Sequence, residues 1–181
     1  MRRPGTGVFT RRQAVLGAAA VAALGRLGAT AAAVRSSRGM AGGGLVALPD
    51  GLAHFSLFAS RTTSDDDTEV VIGQVRWFDP SGADGGLTLE STEVTDYVPL
   101  DDDENGRELR GTVRVNENEY PFVLQAFDDG APGSAQDRVS LRVGGDASDG
   151  TAEATAAADF AYQAEGTLVA GDLQLLTFDL A

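Results

Sequence analysis

Asp101-Asp102-Asp103-Glu104-Asn105-Gly106 is the one stretch of this chain whose residue types and spacing specify a definite chemistry. Hard cations such as calcium take oxygen ligands from alternate positions of a tight loop, and a glycine permits the sharp turn that closes them on one ion. Asp101, Asp103 and Asn105 supply such oxygens, and Arg107 adds its backbone carbonyl. The twelfth position of the loop is Thr112 rather than a bidentate glutamate. The stretch is therefore no EF-hand, and any calcium binding falls in the weak range of extracellular modules, about 10⁻⁴–10⁻³ M. The competing reading is an acidic hairpin loop in which Asn105-Gly106 forms the turn. Asp65-Asp66-Asp67 and Asp128-Asp129-Gly130 read as turns in the same way, and the ligand missing from any cation shell would come from a neighbouring loop, such as Asp128 or Asp129, or from water.

The rest of the inventory removes most catalytic chemistry. The chain has one histidine, no cysteine and no lysine. That excludes thiol nucleophiles, Schiff bases, cysteine-containing zinc sites and phosphate-gripping lysines. His54 lies between Ala53 and Phe55 in an alternating run, without a nucleophile-elbow motif anywhere, which reads as a solvent-facing strand position. A pair of carboxylates suffices for glycoside hydrolysis, and 27 acidic residues offer many pairs without selecting one. Trp77, Tyr97, Tyr120 and Tyr162 are the residues available for stacking on a sugar, although Trp77 and Tyr120 fall on inward phases. No catalytic residue is assigned.

Charge and targeting separate the chain into two parts. Five of the 14 arginines and none of the 27 acids fall in residues 1–33, so the remainder carries a formal charge of −18. Such a surface repels nucleic acid and anionic lipid. Thr10-Arg11-Arg12 precedes a weakly apolar stretch from Ala14 to Gly25, and Ala31-Ala32-Ala33 follows as a small-x-small cleavage site. The pattern is that of a twin-arginine export signal, with Arg11, Arg12, Ala31 and Ala33 as its readable residues and the general secretory route as the alternative. About 12 weakly apolar residues fall short of the about 20 that span a membrane. Without cysteine, a lipid anchor is excluded and the exported fold must hold without disulfides.

Positioning elements follow from periodicity. Residues 34–44, with three consecutive glycines, read as a flexible linker, and residues 45–181 as a single domain. Ala53/Phe55/Leu57/Ala59, Val75/Trp77, Leu87/Leu89, Leu109/Gly111/Val113/Val115, Tyr120/Phe122/Leu124/Ala126 and Val139/Leu141/Val143 each alternate with polar residues. Pro121 places its strand at an edge or a bulge. The change of phase near the C-terminus predicts a bulge at Leu175-Leu176, and Thr151 to Glu165 reads as a loop followed by a strand. About eight or nine strands without a convincing helix predict an all-β fold, an antiparallel β-sandwich or a jelly-roll-like barrel.

Gly73-Gln-Val-Arg-Trp-Phe-Asp, Gly86-Leu-Thr-Leu-Glu-Ser-Thr and Asp96-Tyr97 open a pattern that continues through Leu109-Arg-Gly-Thr-Val-Arg-Val. Tyr120-Pro-Phe-Val-Leu-Gln-Ala-Phe-Asp-Asp-Gly and Asp137-Arg-Val-Ser-Leu-Arg-Val complete it. In order and spacing this resembles the post-COAP domain, from about Ala53 to Leu176. The resemblance implies an extracellular module, often joined to other surface domains and without assigned catalytic residues. The reading at this level is a secreted, non-catalytic β module that binds an extracellular protein or glycan, or assembles, with a weak calcium site as its only cofactor. A small secreted hydrolase using carboxylates on glycans is the alternative.

Overall fold

Most strands of the chain place large apolar side chains at alternate positions, which gives each an inward face to bury. The computed structural model, which describes residues 33–82, 85–145 and 160–179, buries all of those faces in one interior. Eight antiparallel strands follow in chain order: β1 (Val34–Leu48), β2 (Gly51–Ser64), β3 (Glu69–Asp79), β4 (Leu87–Leu100), β5 (Asp103–Val115), β6 (Asn118–Phe127), β7 (Arg138–Gly144) and β8 (Ala161–Asp179). Each pairs with its successor, and β8 returns to β1, which closes the sheet into a barrel. The connections are those of an up-and-down meander rather than the crossing connections of a jelly roll or the two sheets of a sandwich. Closure also leaves no pair of facing sheets to pack, so one set of inward residues makes the whole core.

The export residues Arg11, Arg12 and Ala31 lie outside the described residues; Ala33 is the first described one, its carbonyl accepting the Asp65 N–H at 2.9 Å.

The core is filled by Phe55, Leu57, Trp77, Leu89, Leu109, Phe122, Leu124 and Leu141 with smaller neighbours, all essentially inaccessible to solvent. These are the phases expected from sequence. Three other expectations are corrected. The segment read as a linker from Val34 to Gly44 is the larger, N-terminal part of β1, paired with β2 and β8 on its two sides. A Cβ at Gly42 or Gly44 would fall on the backbone carbonyl of Asp172 or Ala170 of β8, so close strand approach, and not chain flexibility, requires the glycines. The bulge in β8 lies at Val169, between Leu168 and Ala170, instead of at Leu175-Leu176. Leu173 and Leu175 therefore keep the inward phase while Leu176 and Phe178 turn outward. Finally, Asn105 and Gly106 are not a turn but part of β5, opposite Phe127; the turn is Asp101-Asp102.

Pro121 pairs with Thr112 of β5 one residue before the β6–β7 ladder begins at Phe122, so its missing N–H falls where no ladder bond is needed.

Candidate functional site

The acidic hairpin, the β6–β7 loop and the second half of β8 meet at one end of the barrel. Extended backbone in β5 sets alternate residues about 6.8 Å apart, whereas a calcium loop curls its ligands to within about 2.5 Å of one ion. Asp103, Asn105 and Arg107 all lie on this extended strand, and Asp101 sits in the exposed turn before it. Asp103 Oδ1 accepts the Asn105 N–H at 3.0 Å, and its Oδ2 lies 3.5 Å from the Arg138 guanidinium. The Arg107 guanidinium donates to the carbonyls of Glu104 and Gly106. The four residues are thus strung along a hairpin rather than gathered, and among the described residues no group of three or more acidic or histidine side chains is placed to hold a metal ion.

Asp128 and Asp137 do different work, which sequence reasoning missed. β7 is short and its ladder with β8 stops at Arg138 opposite Thr167, so β8 beyond that point has β1 on one edge only. The loop fills the other edge. The Asp137 carbonyl accepts the Leu168 N–H at 2.8 Å, its Oδ2 the Leu173 N–H at 2.8 Å, and Asp128 Oδ2 the Leu175 N–H at 2.9 Å. Asp137 Oδ1 also accepts the Asp129 N–H, and Asp129 binds the Arg138 Nε at 2.6 Å. Arg138 in turn lies over the Phe127 ring, 4.2 Å from its centre. The spacing of Asp128 and Asp137 across a Gly-Pro loop was the available signal, and its meaning is that carboxylates replace a missing strand.

The opposite end holds a second polar group. Trp77 Nε1 donates to Tyr162 Oη at 2.9 Å, Tyr162 donates to Asp79 Oδ2 at 2.8 Å, and Asp79 Oδ1 accepts both the N–H and the hydroxyl of Ser81. Burial pushes the Asp79 carboxyl upward, but the bonds from Ser81, Tyr162 and the Gly82 N–H outweigh it and hold it below the usual carboxylate range. Burial, then the bond to Asp79, raises the Tyr162 hydroxyl well above its ordinary value, against the pull of the Trp77 N–H. A hollow of about 430 Å³ outside this group is bordered by Asp50, Asp79, Tyr162 and Glu165. A larger polar groove, about 910 Å³, runs along the start of β4 past Glu90 and Arg114 to Phe160. Its carboxylate, Glu90, is already paired with Arg76 at 2.7 Å. A general acid needs a carboxyl raised toward neutrality; that of Asp79 is displaced the other way.

Of the four aromatics singled out by sequence, Trp77, Tyr97 and Tyr120 are buried in the core, and Tyr162, partly buried, borders the hollow beside Asp79. His54 faces outward on β2, its ring 6.2 Å from that of Phe78.

The outer surface is divided. β4 to β7 carry Glu90, Arg114, Glu119, Glu108, Arg110 and Arg142 outward, several of them in ion pairs. The large apolar side chains left exposed lie elsewhere: Leu52 and Phe58 on β2, Val70, Ile72 and Phe78 on β3, Val169 and Phe178 on β8. Comparison of the chain with protein families, with curated proteins and with solved structures returns no match.

Proposed function

We propose that the chain is an exported, non-catalytic extracellular module that acts by binding or assembly through the outside of its barrel, as the resemblance to the post-COAP domain implies. The observation that carries this reading is the filled interior. A barrel that encloses a ligand keeps an internal cavity, and here the inward positions are occupied by packed aromatic and aliphatic side chains. The buried carboxylates support the same reading, because Asp79 and Asp137 spend both oxygens on N–H and O–H donors of the fold itself. Export by the twin-arginine route places the module outside the cell, and a barrel without cysteine is suited to crossing the membrane already folded.

The test is incubation of the secreted protein with soluble and insoluble extracellular glycans, with release of reducing ends followed over many enzyme equivalents. No turnover is expected, with or without added calcium. Multiple turnovers abolished by Asp79→Asn or Glu90→Gln would establish the hydrolase instead. Replacing Arg11 and Arg12 by lysine tests the location, with retention of the precursor in the cytoplasm as the expected result.

A further inference from the structure

The barrel end that holds the start of β1 and the end of β2 carries the polar atoms for which the fold supplies no partner. Among the described residues, the buried side-chain nitrogens and oxygens without a hydrogen bond are Arg61 Nε and Tyr97 Oη. A stranded donor of this kind costs free energy unless a ligand, an ion or water completes it. Tyr97 is 1% exposed, so its hydroxyl is not turned to solvent, whereas Arg61 keeps 30% of its side chain accessible. The two donors therefore sit where the packed core gives way to water.

Register brings them to one level of the barrel. Met40 and Ala59 are paired and buried; two residues nearer this end, Arg38 and Arg61 are paired on the same inward phase. Arg61 is also opposite Val71 of β3. Val94 of β4 lies against Gly73, two residues from Val71, where an added Cβ would be 3.1 Å from the valine methyl. Tyr97 is the next buried residue of β4 toward this end. Arg107, on the inward phase of β5 with Leu109, is the charged group beside the Tyr97 hydroxyl.

The charges at this end do not cancel. Like charges directly opposite one another across two strands repel, and Arg38 and Arg61 each have one carboxylate: Asp179 at 2.6 Å from Arg38, and Glu69 at a looser 3.6 Å from Arg61. Arg107 has no carboxylate at ion-pair distance among the described residues. Only its Nη1 is spent, on the carbonyls of Glu104 and Gly106, which leaves Nε and Nη2. In a chain with 27 acidic residues, one positive charge is thus left in surplus beside two stranded donors. We infer that this end of the barrel binds a carboxylate, with the Arg107 guanidinium as its fork and the Tyr97 hydroxyl and Arg61 Nε donating to its oxygens. The unspent groups are all donors, which excludes a cation. A single surplus charge suits a monoanion better than a doubly charged phosphate. The inference goes beyond the reading of the outer surface, and the ligand sits above the filled core rather than within it. The formal charge of −13 repels free anions, so for a ligand of so few atoms a Kd of roughly 1–10 mM is expected.

The carboxylates of a small organic acid and of a uronic acid present the same two oxygens, so acetate and glucuronate are the probes. Each is titrated into the full chain in place of chloride at a constant ionic strength of about 0.2 M, which holds screening fixed. The arginine Nε–H resonances report binding. Saturable shifts are expected at Arg61 and Arg107 and none at Arg142, which faces outward on β7. Tighter binding of glucuronate would mark an acidic sugar as the source, and equal binding a small organic acid. Arg107→Gln should weaken acetate about 10-fold or more, the loss expected with a charged hydrogen bond. Arg107→Lys, which keeps the charge without the fork, should fall between. Tyr97→Phe removes one hydroxyl from an otherwise unchanged core and should cost about 3–10-fold, while Arg142→Gln should change nothing. Unaltered circular dichroism separates loss of the site from loss of the fold. No saturable response would mean that water alone serves the two stranded donors, and overturns the inference. So does an affinity that is the same in wild type, Arg107→Gln and Tyr97→Phe, or inorganic phosphate binding more tightly than acetate.

Discussion

Two tyrosines show how the same residue type takes opposite roles by position. Tyr162 relays a hydrogen bond from Trp77 to Asp79, whereas the buried Tyr97 hydroxyl lies near the Arg107 guanidinium without a well-formed hydrogen bond among the described residues. Tyr162→Phe leaves the Trp77 N–H without its acceptor and takes one donor from Asp79, so a loss of about 1–3 kcal/mol is expected. Tyr97→Phe removes an unsatisfied group and should be neutral or slightly stabilising. Their pH dependence has a definite sign. Burial raises the Tyr97 hydroxyl, opposed by the Arg107 guanidinium, and Tyr162 is raised by burial and by Asp79. A folded-state value above the unfolded one, about 10 for tyrosine, means that stability is fully present below that value and falls as pH rises beyond it. Urea unfolding between about pH 8 and 11 should show this decline in the wild type and a shallower one in either phenylalanine variant. Asp79, held below its ordinary value, contributes stability above the usual carboxylate range, and that contribution is lost as pH falls through its folded value. An alkaline slope unchanged by both substitutions would show that neither hydroxyl is coupled to the fold.

Strand phases were legible in the sequence because each strand buries one face, and period-two alternation records nothing else. Trp77, Leu109, Phe122 and Leu141 follow directly from it. Which strands are neighbours left no such mark, since a sandwich, a jelly roll and a meander all use the same alternation. The glycines of β1 misled for a related reason: glycine is depleted in strands, and only the neighbouring backbone of β8 shows why a side chain is excluded there. Gly111 is the same case on β5, where a Cβ would fall on the Glu93 carbonyl at the irregular part of β4.

The acidic residues were the least legible of all, because their partners are backbone N–H groups far away in sequence. Asp137 reaches Leu173 and Asp128 reaches Leu175. Asp137→Ala strands the buried Leu173 N–H and frees the Asp129 N–H, which should cost about 2–4 kcal/mol, or roughly 4–16 °C in melting temperature for a domain of this size. Amide exchange should locate the damage: faster at Leu173 and Leu175, unchanged at Leu124 in the core of β6. A uniform acceleration would mean that the loop supports the whole barrel rather than the second half of β8.

At the scale of the whole molecule, electrostatics opposes the fold. Beyond residue 33 the chain carries nine arginines against 27 acidic residues, and net charge of this size destabilises a compact state by self-repulsion. The ion pairs that oppose it, Arg35–Asp67, Arg38–Asp179, Arg76–Glu90 and Arg114–Glu119, have both partners roughly half exposed or more. Pairs so exposed contribute between nothing and about 1 kcal/mol each. Salt screens both effects, but unequally. Each paired arginine faces one or two acids at contact distance, whereas the excess carboxylates repel one another over longer distances, and interactions beyond the about 10 Å screening length of 0.1 M salt are largely screened. The long-range repulsion is therefore the larger sum and the more easily screened. Melting temperature should rise between about 10 mM and 0.5 M sodium chloride, and sulfate should raise it further by strengthening burial of the apolar core. The variant Glu90→Gln, which removes one acid together with its pair to Arg76, should gain less from added salt than the wild type. A melting temperature that falls steadily with sodium chloride would mean that the surface ion pairs, and not the excess of acids, govern the stability of the barrel.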